Sequence, residues 1–245
     1  MVLRPSKERQ ASTLHEVESS ATADVQNVRT RMAPQDRERF IVDHALRFFA
    51  EQGLDGQTRE LAKRLGVTQS LIYRYFPSKD ALIERVYEKC WTEFWNPAWP
   101  DWLIDRSQSF ERRISRFYHD YSRVVYNLEW VRLFAFSGLA DRSYHKRFVA
   151  RNRELIYPRI AAELRYECRL PTLEEMPLTV FEVELMRGVL GTAFYLGQRR
   201  WLFNLTAPIE IHDLVEARIK GFLASAPQQI AAHLGSLQSL KMASD

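Results

Sequence analysis

Thr58-Arg-Glu-Leu-Ala-Lys-Arg-Leu-Gly-Val-Thr-Gln-Ser-Leu-Ile-Tyr-Arg-Tyr-Phe-Pro-Ser-Lys79 is the stretch that decides the fold. Leu61, Ala62 and Leu65 recur at helical spacing, and Gly66 offers a left-handed backbone at little steric cost. The pattern predicts a helix at 58–65, a tight turn at Gly66-Val67, and a second short helix at 69–75 that Pro77 ends. Ala62, Leu65, Val67 and Ile72 face inward and hold the pair at the helix-turn-helix angle. The second helix then projects Thr68, Gln69 and Ser70 outward. These are short polar groups suited to base edges, and glutamine pairs bidentately with adenine in the major groove. Around them stand groups suited to phosphates: the Thr58 hydroxyl and its helix N-terminus, Tyr73, Arg74, Tyr75 and Lys79. Arg59, Lys63, Arg64, Arg74 and Lys79 face Glu60 alone between 59 and 79, a net +4 that equals the charge of the whole chain. A basic run is ordinarily a solvated face, but this one is joined to a specific turn geometry.

The pattern Thr-x-x-Leu-Ala-x-x-Leu-Gly-Val-Thr-x-x-x-Ile-Tyr-x-Tyr-Phe-x-Ser-Lys-x-x-Leu resembles the DNA-binding signature of the tetracycline-repressor (TetR) family, over residues 37–89. The resemblance implies an all-α protein: an N-terminal, homeodomain-like three-helix DNA-binding domain and a larger helical domain for ligand binding and dimerisation. It implies phosphate contacts by Thr58, Tyr73 and Lys79, base contacts by Gln69 and Ser70, and a base contact by Arg59 from the second helix. One departure is visible. Many members carry Gly where this chain has Ser70, followed by Thr where it has Leu71. Leu71 either packs a thymine methyl or completes the core. Tyr73 and Tyr75 also have a plain structural reading, as aromatic rings filling the foot of a short helix; Tyr75 and Phe76 are read as partly core and Tyr73 as the phosphate ligand.

Working outward, residues 1–35 lack Phe, Tyr, Trp and Ile and are rich in Ser, Thr, Ala and Gln, so they read as a flexible arm. Arg29 and Arg31 at its end either reach a DNA groove or belong to a solvated tail. Phe40, Ile41, Ala45, Phe48 and Phe49 give the first helix its apolar stripe, and Gly53 stops it. Ser78 is the N-cap of a fourth helix reaching about Phe94. Asn96-Pro97-Ala98-Trp99-Pro100 is the clearest break, which divides the chain into a DNA-binding domain at 36–95 and a helical effector and dimerisation domain at 96–245. Further helices are expected from Ser107 or Ser109 to Tyr126, 129–140, Ser143 to about Glu167, and 178–200. Pro208 is expected to open another that Pro227 ends, with a short final helix to about Leu240.

The second half shows its chemistry less directly. Aromatic side chains crowd from Trp91 to Phe136. Such stripes are usually core, but they mark the expected effector pocket: Trp91, Trp95, Trp102, Phe117, Tyr121, Trp130 and Phe134, with Tyr121, His119 or Arg187 as polar anchors. The effector expected from them is a small hydrophobic or aromatic molecule. The 178–200 and 208–223 helices are apolar over more than one face, which calls for two partners. A second subunit is one source, giving a homodimer interface at Phe181, Leu185, Gly188, Val189, Leu214, Ile219 and Phe222.

Other classes find little support. The six histidines show no metal spacing, and no Gly-rich phosphate loop occurs, so no catalytic residue, metal or cofactor is expected. Cys90 and Cys168 form no CxxC pair and read as free thiols of a reducing compartment. The N-terminus has no apolar signal core, and the most apolar window, Trp130 to Ala140, is short and contains Arg132. A cytoplasmic regulator that binds double-stranded DNA as a homodimer, without a membrane, is the resulting expectation.

Overall fold

The computed structural model describes residues 32–140, 143–206 and 208–242, the side chains of Trp91, Thr92 and Lys241 excepted. The arm at 1–35, with Arg29 and Arg31, therefore lies almost wholly outside the described residues. Among those residues the secondary structure is helical throughout, in eleven helices: α1 Pro34–Gln52, α2 Thr58–Leu65, α3 Gln69–Tyr75, α4 Lys79–Phe94, α5 Trp99–Ile104, α6 Phe110–Val125, α7 Leu128–Leu139, α8 Tyr144–Leu155, α9 Tyr157–Cys168, α10 Val180–Trp201 and α11 Ile211–Met242. No described helix is long and apolar enough to cross a membrane.

Local chemistry accounts for the head, α1 to α4. Pro34 sits in the first turn of α1, where its missing N–H costs nothing, and starts the helix two residues before the expected boundary. Gly53 ends α1 at φ 80°, and Gly66 ends α2 in the left-handed region at φ 65°, ψ 33°. Thr68 and Ser78 cap α3 and α4 by accepting the Leu71 and Ala81 amides. Ile41, Phe48, Phe49, Leu61, Leu65, Ile72, Leu82, Ile83 and Val86 close one apolar core between them. That core extends into the second half, because Leu133 of α7 and Tyr144 of α8 belong to it.

The body, α5 to α11, packs around α6, whose Ile114, Phe117 and Tyr118 are fully buried. Three expectations change here. The stretch from Ser143 to Glu167 is two helices, parted at Ile156: Pro158 has no N–H to give the Glu154 carbonyl one turn back, the Arg159 amide takes the Ile156 carbonyl, and the Arg159 guanidinium donates to the Leu155 carbonyl at 2.8 Å. Pro227 does not end a helix; α11 runs through it. Phe222, Ala226, Ile230 and Leu234 form one buried stripe on both sides of that proline, and their burial outweighs the roughly 3 kcal/mol an interior proline costs. The break at 96–100 contains the start of a helix, α5, with Pro100 in its first turn and Trp99 fully buried against Phe117 and Tyr121.

Candidate functional site

The helix-turn-helix is α2 and α3. Its turn is held by the Val67 amide on the Ala62 carbonyl at 3.0 Å and the Gly66 amide on Lys63 at 3.1 Å. Arg59, Ser70, Tyr73 and Arg74 are exposed, while Gln69, Leu71, Tyr75 and Lys79 are half-buried. An outward-facing polar and basic surface thus lies across the start of α2, the length of α3 and the start of α4. No side chain caps α2, whose N-cap is Gln57; the Glu60 and Leu61 amides both take the Gln57 carbonyl. Lys79 opens α4 directly after the Ser78 cap, which sets its position on the same surface.

Two side chains are placed differently from the sequence expectation. Thr58 is buried: its hydroxyl accepts a hydrogen bond from Gln69 Nε2 at 2.8 Å and shares another with the Tyr73 hydroxyl at 3.0 Å. Thr68 is exposed, but its hydroxyl caps α3 and meets Ser70 Oγ at 3.0 Å. Arg64, one of the five cations of the segment, is engaged at 2.6 Å with Glu51 and lies over the Phe48 ring. The Arg74 guanidinium lies 5.7 Å from the centre of the Tyr75 ring.

A cavity of about 350 Å³ lies between α4, α7 and α8. Cys90, Phe94, Trp130, Leu133, Phe134 and Phe148 make its apolar wall, and Arg85, Glu88, His145 and Arg147 supply polar groups. Trp130 and Phe134 stack with ring centres 4.7 Å apart. Burial pushes the Cys90 thiol up to about 12, so the sulfur in this wall stays protonated. Of the aromatic residues expected in a pocket, Trp130 and Phe134 line this cavity, and the Trp91 side chain lies outside the described residues. Trp95, Phe117 and Tyr121 instead pack in the body core with Trp99. Trp102 is covered by the Arg116 guanidinium at 3.7 Å. Arg187 pairs with Glu184 at 2.6 Å, and His119 pairs with Glu216 at 2.8 Å and stacks on His212. Neither reaches the cavity.

Residues 41–86 match the model of the bacterial regulatory proteins of the tetR family. The match covers the helix-turn-helix and parts of the helices on either side of it, about a fifth of the chain. No curated protein matches it. Its fold is similar to crystal structures of a tetR-family transcriptional regulator from Streptomyces coelicolor (TM-score 0.55, 17% identity, 86% of this chain and 90% of that one), a TetR-like transcriptional regulator from Rhodococcus (0.53, 20%, 80% and 100%) and a TetR family transcriptional regulator from Thermus thermophilus (0.53, 20%, 75% and 97%). At these identities the likeness is one of fold.

The cavity adjoins the helix that leads out of the helix-turn-helix. Tyr87 of α4 stacks on Tyr144 of α8 with ring centres 3.9 Å apart, and its hydroxyl donates to the Leu133 carbonyl at 2.8 Å. Tyr144 and Arg147 both bond Glu84 of α4, at 2.6 and 2.8 Å. Arg132 of α7 donates to the carbonyls of Ala50, near the end of α1, and Trp201, at the end of α10, a favourable place for a cation. Sequence reading missed these ties. Their partners lie 46 to 82 residues apart, with no spacing to announce them.

The residues expected to pair two subunits fall into two groups. Phe181 and Gly188 are exposed on α10, and Leu185 and Leu214 are half-buried. Val189, Ile219 and Phe222 point into the chain's own core, out of a partner's reach. Tyr195, also on α10, is 58% exposed.

Proposed function

We propose that this chain is a transcriptional regulator of the TetR family, a homodimeric repressor that binds a palindromic operator in double-stranded DNA and is released by a small hydrophobic or aromatic effector in the cytoplasm. The observation that carries this reading is the joining of two surfaces through α4. The helix-turn-helix surface of Arg59, Gln69, Ser70, Tyr73, Arg74 and Lys79 opens at its start, and the aromatic cavity adjoins Tyr87, Cys90 and Phe94 on the same helix. In the proposed division, 1–35 is an arm, 36–95 the reader of DNA, and 96–245 the sensor and dimer half.

Bases are read by Arg59, Gln69 and Ser70, and phosphates are held by Tyr73, Arg74 and Lys79. A dimer through the exposed face of α10 and α11 presents two recognition helices to half-sites about 34 Å apart. On that face an added Cβ at Gly188, Gly191 or Gly221 would meet nothing within 4 Å of the chain itself. An effector that binds the cavity better in one arrangement of α4 than in another shifts the population between them.

Selection from randomised duplexes, followed by footprinting, tests the reading. A single inverted repeat protected by a dimer is the expected result. Tight binding with a steep salt slope and no sequence preference would instead describe an architectural protein, and would sink the proposal. A thermal-shift screen with aromatic ligands tests the sensor, since a bound ligand raises the melting point by mass action. The rise should vanish in Trp130→Ala, which empties one wall of the cavity.

A further inference from the structure

We infer that Thr58 is a positioning residue for sequence reading: buried behind the interface, its hydroxyl sets both Gln69, which faces the bases, and Tyr73, which faces a phosphate. The inference rests on the DNA-binding reading above and differs from the direct phosphate contact that family resemblance assigns to Thr58. Thr58 is 5% exposed at the first position of α2, and its hydroxyl is the meeting point of two side chains from α3. Gln69 and Tyr73 are four residues apart, so they share one edge of that helix. Gln69 Nε2 lies 2.8 Å from Thr58 Oγ1, and the Tyr73 hydroxyl 3.0 Å.

The donors and acceptors order themselves. The amide nitrogen of Gln69 only donates, so Thr58 Oγ1 accepts there. Thr58 has one proton, and the arrangement that uses it inside the protein gives it to the Tyr73 oxygen. The Tyr73 proton is then left for an outside acceptor such as a phosphate oxygen, and its ring is 40% exposed for that approach. On the other side, one Gln69 N–H is committed to Thr58. The remaining N–H and Oε1 are the pair that adenine N7 and N6 require. An amide tethered through its nitrogen offers this pair in one order, whereas a free amide can flip and offer it in either. Thr58 thereby ties base choice at one position to the phosphate grip next to it, without touching DNA.

The test compares Thr58→Val, Thr58→Ser and Gln69→Ala in the full-length protein. Affinity is measured for the selected operator and for every single-base variant of it. Thr58→Val should lose at least about 5-fold of discrimination at the base pair that Gln69→Ala also stops reading, with smaller changes elsewhere. Thr58→Ser should restore it, and adding Thr58→Val to Gln69→Ala should remove no further discrimination there. A uniform loss across all duplexes, with discrimination intact at each position, would mean that Thr58 contacts a phosphate itself and would overturn the inference. Unchanged affinity and discrimination would overturn it as well. If circular dichroism shows Thr58→Val unfolded, Thr58→Ala removes the same hydroxyl without a branched side chain and is read by the same two criteria. Failure of the wild-type protein to select any sequence would remove the DNA-binding reading itself, a separate outcome.

Discussion

The head, α1 to α4, and the body, α5 to α11, are held together by different kinds of interaction. In the head helix boundaries are set by local residues: Gly53 and Gly66 end α1 and α2, and Thr68 and Ser78 cap the starts of α3 and α4. Its working side chains sit within about twenty residues of one another, on one surface. In the body the decisive contacts join residues far apart in the chain. Arg113 of α6 bonds Glu163 of α9, and Arg165 of α9 is clasped to Glu182 of α10, with both charges of the second pair buried. A local architecture suits the proposed role of the head, which is to present fixed groups to DNA. An architecture of distant pairings gives the body several helix interfaces, on which the proposed effector would act.

The largest expected effect lies in the body. Arg165 donates two hydrogen bonds to Glu182, at 2.8 and 2.7 Å, and further ones to carbonyls of the 171–177 loop. Arg165→Met would leave the Glu182 carboxylate buried without its cation, a loss of about 3–5 kcal/mol, readable as a fall in denaturant midpoint. Arg165→Met with Glu182→Gln should recover a large part of it, because the uncompensated charge is gone. A loss below about 1 kcal/mol for the single variant would show that this pair does not hold the body. The pH dependence has a definite sign. Burial pushes the Glu182 carboxyl up, but hydrogen bonds from Arg165 and Thr179 outweigh it and hold it below the ordinary glutamate value. A carboxyl held low in the folded state contributes its full stability above the unfolded value of about 4.3, and loses it as pH falls through the lower folded value. Wild-type stability should therefore drop on acidification below that point, and the double variant should lose this component.

The same contrast explains what was legible in the sequence. Thr58–Leu65, Gly66, Gln69–Tyr75 and the Ser78 cap all follow from spacing and turn chemistry, and the structure places them at those residues. The body yielded its helical class but not its joints. Pro158 and Pro227 carry the same local signal. One parts two helices and the other lies inside α11, although buried residues flank both, so the local signal alone does not decide the outcome. The aromatic crowd named Trp130 and Phe134, which line the cavity, together with Phe117 and Tyr121, which fill the core. The difference between them is which helix faces which, and that is settled by contacts such as Tyr87 on Leu133. In the head, the exceptions were Thr58 and Thr68. Composition marks a hydroxyl as available, while the folded chain has already used it.

A smaller effect is expected at the turn. Gly66 at φ 65° lies where an L side chain is crowded by the following carbonyl, so Gly66→Ala should cost about 1–2 kcal/mol. Because the strain is confined to the turn, the loss should appear in the melting point of the head and in operator affinity, with the cavity unchanged. Tyr87→Phe tests the seam between the halves. It removes the buried hydrogen bond to the Leu133 carbonyl while keeping the stack on Tyr144, a loss of about 0.5–1.5 kcal/mol. If effector response weakens in this variant more than stability does, the seam carries the signal; an unaltered response would assign it to other contacts of α4.

The smallest effect separates charge from position within the head. Arg64 contributes to the +4 of the segment, yet its guanidinium is occupied by Glu51 at 2.6 Å and by the Phe48 ring, on a partly exposed surface. Arg64→Gln should change stability by no more than about 1 kcal/mol and leave the salt dependence of operator binding as it was. Lys79→Gln should lower that salt slope by about 1, since a phosphate ligand releases one counterion's worth of charge when it binds. If both substitutions lower the slope equally, the segment acts through its total charge, and the placement of Lys79 beside the Ser78 cap has no special part in the grip. If only Lys79→Gln does, the grip is set by where α4 begins rather than by how basic the stretch is, and counting cations overstates the contacts.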